Sequence, residues 1–144
     1  LVEGDRHYLV HHFYDAEDEG VSKLQIRALV WDEDGWPLAG VPYDGASGAF
    51  PSAAATPDVA GRWVHSLDFT QPLEIRLRED GSIERCDGEG EWSLDGSTLT
   101  LQWPLREGAD ESWVARTVVG ADGTWYAGRD ENGYVVWGWK AGAE

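Results

Sequence analysis

Asp80-Gly81, Asp95-Gly96, Asp122-Gly123 and Asn132-Gly133 recur between short runs in which apolar and polar residues alternate. Such pairs adopt the positive φ that two-residue hairpin turns require. Alternation with a period of two turns one side of a strand toward a core and the other toward water. A chain broken this often has no room for long helices, and no helical period of useful length occurs in it. Nine Trp in 144 residues point the same way, because bulky aromatic side chains fit a pleated surface. The fold class is all-β.

From Val59 onward the strands follow at hairpin rhythm. Gly61 to Asp68 carries Trp63, His65 and Leu67 on one face, and Leu73 to Glu79 puts Leu73, Ile75 and Leu77 inward. Ser82 to Cys86 follows the first Asp-Gly turn. Glu91 to Leu94 and Thr98 to Trp103 flank the second, with Leu99, Leu101 and Trp103 inward. Ser112 to Val119, Thr124 to Gly128 and Tyr134 to Lys140 complete a set of about eight strands. Up-and-down order with that number suggests closure into a small antiparallel barrel, which removes exposed sheet edges; a two-sheet sandwich is the alternative.

The first third reads differently. Arg6 to Tyr14 alternates as a strand with two largely apolar faces, and Lys23 to Trp31 forms a second with Leu24, Ile26, Ala28 and Val30 on one side. Asp34-Gly35 turns the chain, and Pro37 is expected to lie outside a paired strand. Two strands are too few for a stable unit, so they must complete something larger. Leu38 to Asp58 is rich in Ala, Gly, Ser and Pro and reads as a connection. The expected division is therefore 1–45, a linker over 46–57, and the barrel over 58–144.

Composition excludes several functions. Acidic residues outnumber basic ones 27 to 11, for a net charge of −16. A phosphate backbone or an anionic membrane surface would be repelled, so neither nucleic acid nor membrane is an expected partner. Solubility alone accounts for this many acids. Cys86 is the single cysteine, which rules out an intrachain disulfide and a cysteine metal cluster. With Leu1 at its head and no Met, the chain is expected to be a processed product or part of a longer reading frame.

The chemistry-bearing residues form no catalytic set. Asp15, Glu17, Glu19 and Gly20 imitate the start of an EF-hand loop, but Ile26 stands at the twelfth position, where a bidentate Glu is required. Most other acids lie in turns or on outward strand positions, and no facing pair of carboxylates stands out. His11 and His12 are adjacent on a strand and point to opposite faces, so they cannot share an ion from one strand. No Gly-x-Ser-x-Gly elbow is present, and His65 reads as a core or rim histidine. Trp63, Trp92 and Trp103 share faces with Leu and Ile and read as core. Trp137 and Trp139 are the candidates for a surface platform that stacks on sugar rings, although core placement is the first expectation for them too.

Three blocks in sequence carry a family resemblance: Tyr8-Leu9-Val10-His11-His12-Phe13-Tyr14-Asp15, Leu24-Gln25-Ile26-Arg27 and Trp31-Asp32-Glu33-Asp34-Gly35-Trp36-Pro37. In order and spacing they resemble the end of the catalytic domain of glycoside hydrolase family 43 endo-arabinanases, with His11 and Phe13 departing from the pattern. Gly61-Arg62-Trp63, Gly90-Glu91-Trp92-Ser93-Leu94 and Val136-Trp137-Gly138 look like the lipocalin-like barrel that follows it in extracellular members. The resemblance implies that residues 1–45 are the last-blade remnant of a five-bladed β-propeller. It also implies a secreted enzyme that cleaves internal α-1,5 linkages of arabinan with inversion. The family's catalytic carboxylates lie on earlier blades, so no catalytic residue is expected in this chain. The family's axial metal, usually calcium, would draw on His12 here. No cofactor is expected for the isolated chain, since the other blades complete that site.

The leading expectation is the C-terminal portion of a secreted endo-arabinanase, inactive alone, whose partners are arabinan or a related plant polysaccharide and the missing blades. The alternative is a carbohydrate-binding module acting through aromatic stacking. A barrel pocket for a small apolar ligand is a third reading.

Overall fold

The computed structural model describes residues 1–45, 49–52, 56–68, 70–85, 88–104 and 112–142. They form twelve strands and no α-helix. Val2–Glu3 (β1), Arg6–Asp15 (β2), Val21–Trp31 (β3) and Pro37–Pro42 (β4) make one antiparallel sheet in the order β1-β2-β3-β4. Gly61–Leu67 (β5), Leu73–Leu77 (β6), Ser82–Arg85 (β7), Gly88–Asp95 (β8), Thr98–Pro104 (β9), Ser112–Val119 (β10), Trp125–Asp130 (β11) and Val135–Lys140 (β12) close into a barrel. Every neighbouring pair is antiparallel. The ring shuts where β12 meets β5, with Trp137 opposite Ser66 and Trp139 opposite Val64. The barrel expected from the turns is therefore the one observed, rather than the sandwich. Cys86 lies outside the described residues.

Inward positions of the eight barrel strands supply one core: Trp63, Ile75, Leu77, Ile83, Leu99, Leu101, Tyr126 and Val136 are essentially inaccessible to water. Trp63 is core as expected, while Trp92 and Trp103 are partly buried against its edge. Two glycines make room for the large rings. A Cβ at Gly138 would collide with the Tyr126 ring, and one at Gly128 would collide with the Arg116 carbonyl across the β10–β11 ladder. The interior is thus occupied by side chains, which speaks against a lipocalin-type ligand pocket.

A second core lies outside the barrel. Ala28, Val30 and Leu38 of the sheet, with Ala49, pack on Val118, Trp125 and Ala127, the outward residues of β10 and β11. Trp125 enters the seam because Gly40 on one side and Gly120 on the other lack side chains where its ring passes. The sheet therefore leans on the barrel wall, and burial of this apolar face is what holds the two units together.

Pro37 corrects the sequence reading. It pairs with Trp31 at the start of β4, and Pro42 pairs with Arg27 near its end, across a register shift. Proline is tolerated there because β4 is the sheet's edge strand, where a missing N–H need not break a ladder on both sides. The connection after it is not simply solvated either. Tyr43 and Phe50 pack edge to face at 5.8 Å and both contact Tyr8, so the linker's large side chains help fill the seam. The far half of the β2–β3 hairpin is bare: Val10, Tyr14, Val21 and Leu24 are exposed, which departs from a strand covered on both faces.

Candidate functional site

The seam opens into a cleft of about 730 Å³ between β4 and the outer wall of β11 and β12. This lies within the size range of small-molecule sites. Alternation along β12 decides its character. Val136 and Gly138 point into the barrel, so Val135, Trp137 and Trp139 point out, into the cleft. The two indoles lie 4.7 Å apart with their planes 22° from parallel, forming one stacked pair. Trp139 keeps 38% of its surface exposed. The core expectation holds for Trp137, which is half-buried against the second core, and fails for Trp139; β12 has apolar residues on both faces, and the glycine rather than the tryptophans turns into the barrel because Tyr126 needs the space.

The sheet contributes the opposite lip through Trp36, which is 56% exposed. The guanidinium of Arg129 sits 5.1 Å from the centre of its ring. Arg129 itself donates from Nε and Nη2 to Asp32 Oδ2, at 2.9 and 2.7 Å. Asp32 also closes its own turn, accepting at Oδ1 from the backbone N–H of Trp36 (2.7 Å) and Asp34 (3.1 Å). Burial opposes ionisation of Asp32, but these N–H groups and the guanidinium outweigh it and hold the carboxyl below its ordinary value. Glu33 reaches Arg116 at 3.1 Å. The Trp31–Pro37 block is thus the strap that ties the sheet to the barrel. Its sequence announced a tight turn and gave no sign of partners nearly a hundred residues away.

His11 and Arg27 also line the cleft. His11 Nε2 shares a 3.2 Å hydrogen bond with Gln25 Oε1, and Arg27 donates to Gln25 Oε1 and to the Gly40 carbonyl, each at 2.7 Å. His12 lies on the other face of β2, exposed, with its ring edge-on to Tyr14 at 5.8 Å. No group of three or more His, Cys, Asp or Glu that could hold a metal stands together among the described residues. One imidazole does not make a calcium site, which takes six to eight oxygen ligands.

Several of the described acids are committed to structure. Asp80 accepts from the backbone N–H and hydroxyl of Ser82, and Asp122 does the same for Thr124. Glu74 pairs with Arg62, and the pseudo-calcium loop is closed by Lys23 on Asp15 and Asp18. His65 lies in the barrel core, where it shares a 2.7 Å hydrogen bond with the Tyr126 hydroxyl. Burial, with a smaller contribution from Arg85, lowers its pKa to about 4.

No protein-family model matches the sequence. Among solved structures, the chain resembles the crystal structure of endo-1,5-α-L-arabinanase from Thermotoga petrophila RKU-1, with a TM-score of 0.74 at 22% identity. The match covers 94% of this chain and 33% of that protein, so the chain spans about a third of the length of its neighbour. At this identity the likeness is one of fold. It extends through sheet and barrel alike.

Proposed function

We propose that the chain is the C-terminal portion of a secreted family 43 endo-arabinanase. In this reading, residues 1–45 close the catalytic β-propeller and the barrel is its appended domain. The observation that carries the proposal is the extent of the structural match: an arabinanase accommodates 94% of the chain, the separate sheet included. A free-standing barrel would need no such sheet. Val10, Tyr14 and Leu24, exposed on one face of the β2–β3 hairpin, support it too, because apolar side chains gathered on an exposed face mark a surface that something covers. Here the cover is a neighbouring blade.

Inverting hydrolysis needs an acid and a base with room for water between them. In this reading the acid and the base lie on the earlier blades, and the chemistry belongs to the rest of the enzyme. This chain supplies closure, support and contact with the polysaccharide. His12 is available as one donor to an axial calcium, with the remaining ligands coming from other blades.

The test is hydrolysis of linear arabinan by the chain alone and by the complete product of its reading frame. The chain alone should be inactive, and the complete product should collapse the polymer's viscosity before reducing ends accumulate. A complete product that leaves arabinan intact and cuts another glycan defeats the proposal.

A further inference from the structure

We propose that the cleft between β4 and the outer wall of β11 and β12 is an accessory subsite for a neutral oligosaccharide, stacked on Trp139 and Trp36. The identity of the sugar as an arabinan segment rests on the arabinanase reading above; the site itself does not. Three independent features converge on it. Trp137 and Trp139 form one stacked platform, and Trp139 remains 38% exposed although the barrel core beside it is closed. Trp36 presents a second indole from the sheet side, 56% exposed and backed by Arg129. Between them lies a space of about 730 Å³, walled mainly by apolar side chains, whose lining also includes the polar side chains of Arg27, Arg129 and His11. Aromatic and aliphatic faces edged by polar side chains match a sugar ring, which offers C–H groups on its faces and hydroxyls at its rim.

Charge selects among sugars. Arg129 is neutralised by Asp32 at 2.7 Å and Arg27 is held by the Gln25 and Gly40 oxygens, so the guanidinium charge of Arg27 stands against the whole chain's net charge of −16, which repels polyuronates. A neutral glycan is favoured. β4 is an edge strand along its whole length, and all six of its residues line the cleft. The site is consequently a trough suited to several linked sugar residues rather than a closed pocket.

The experiment is calorimetric titration of the chain with linear α-1,5-arabinohexaose and, separately, with xylohexaose, using the unaltered chain and the variants Trp139→Ala and Trp36→Ala. Saturable binding of arabinohexaose, weakened at least about tenfold in each variant, is expected, since truncating a central aromatic anchor has effects of that order. Trp36 is more than half exposed and Trp139 more than a third, so unchanged circular dichroism should accompany the loss, and Trp139→Phe, which keeps an aromatic face on Trp137, should restore part of the affinity. Binding of xylohexaose alone, lost in the same variants, keeps the subsite and overturns the arabinan assignment. Arabinohexaose binding that both variants leave unchanged overturns the subsite while sparing the arabinanase reading. Binding of neither sugar also overturns the subsite.

Discussion

Arg129 holds Asp32 from 97 positions away in the chain, with two N–H groups on one carboxylate oxygen. The carboxylate is almost wholly buried and the guanidinium three-quarters so. Removing Arg129 leaves a buried carboxylate without its cation, which costs more than the pair contributes. Arg129→Ala should destabilise docking of the sheet on the barrel by about 1–3 kcal/mol. Amide exchange should show this as lost protection in β3 and β4 with β5 to β9 unaffected.

The same pair makes docking sensitive to acid. The carboxyl of Asp32 is held below its ordinary value in the folded state, so its stabilisation is complete above the unfolded value of 3.8 and fades as the pH falls through the lower folded value. Asp32→Asn should weaken docking at neutral pH and remove this acid-dependent step. Near-ultraviolet circular dichroism of the parent and the variant, followed from pH 6 down to about 2, would report it.

His65 acts at milder pH. Its folded pKa of about 4 lies below the ordinary 6.5, so the unfolded chain binds the extra proton first. Stability is complete above the ordinary value and falls as the pH drops from there toward 4. At pH 5 the loss should be roughly 2 kcal/mol relative to pH 7. Urea midpoints at the two pH values measure it. His65→Gln, which can still bond to the Tyr126 hydroxyl, should flatten that part of the profile.

Asp130 is a buried hub. It accepts from the Trp113 indole N–H at 2.9 Å and from the backbone N–H groups of Asn132 and Tyr134 at 2.9 and 2.8 Å. Asp130→Ala should cost about 2–4 kcal/mol, because three donors lose their acceptor together. Asp130→Asn keeps the two backbone bonds but can set an amide N–H against the Trp113 N–H. Its midpoint in thermal melting should fall between those of the parent and Asp130→Ala.

Gly128→Ala should be among the most disruptive small substitutions. The added methyl meets the Arg116 carbonyl, which cannot withdraw without opening the β10–β11 ladder. A loss of about 2–4 kcal/mol is expected in chemical denaturation.

Local chemistry made the barrel legible before its structure. The pairs Asp80-Gly81, Asp95-Gly96, Asp122-Gly123 and Asn132-Gly133 each marked a reversal, and the observed barrel strands begin and end within a few residues of the expected positions. β4 was hidden because its two prolines and its Ala and Gly look like connection; only its place at the sheet's edge makes them acceptable. The cleft was hidden for another reason. Period-two alternation says that Trp137 and Gly138 face opposite ways, but not which of them faces in. That choice is made by Tyr126, a residue on the neighbouring strand whose ring occupies the space beside Gly138. The Asp32–Arg129 strap depends on a meeting of distant segments, which no local pattern encodes.

The meeting of β12 with β5 has a consequence for how such a barrel can travel between proteins. The Ala141 N–H donates to the Arg62 carbonyl at 2.8 Å, so the barrel's entrance and exit lie side by side. A unit whose two ends share one doorway can be spliced into a host at a single surface point without prising the host apart. Grafting onto an unrelated enzyme is then a matter of joining two adjacent threads, and the outward tryptophans of β12 would go with it.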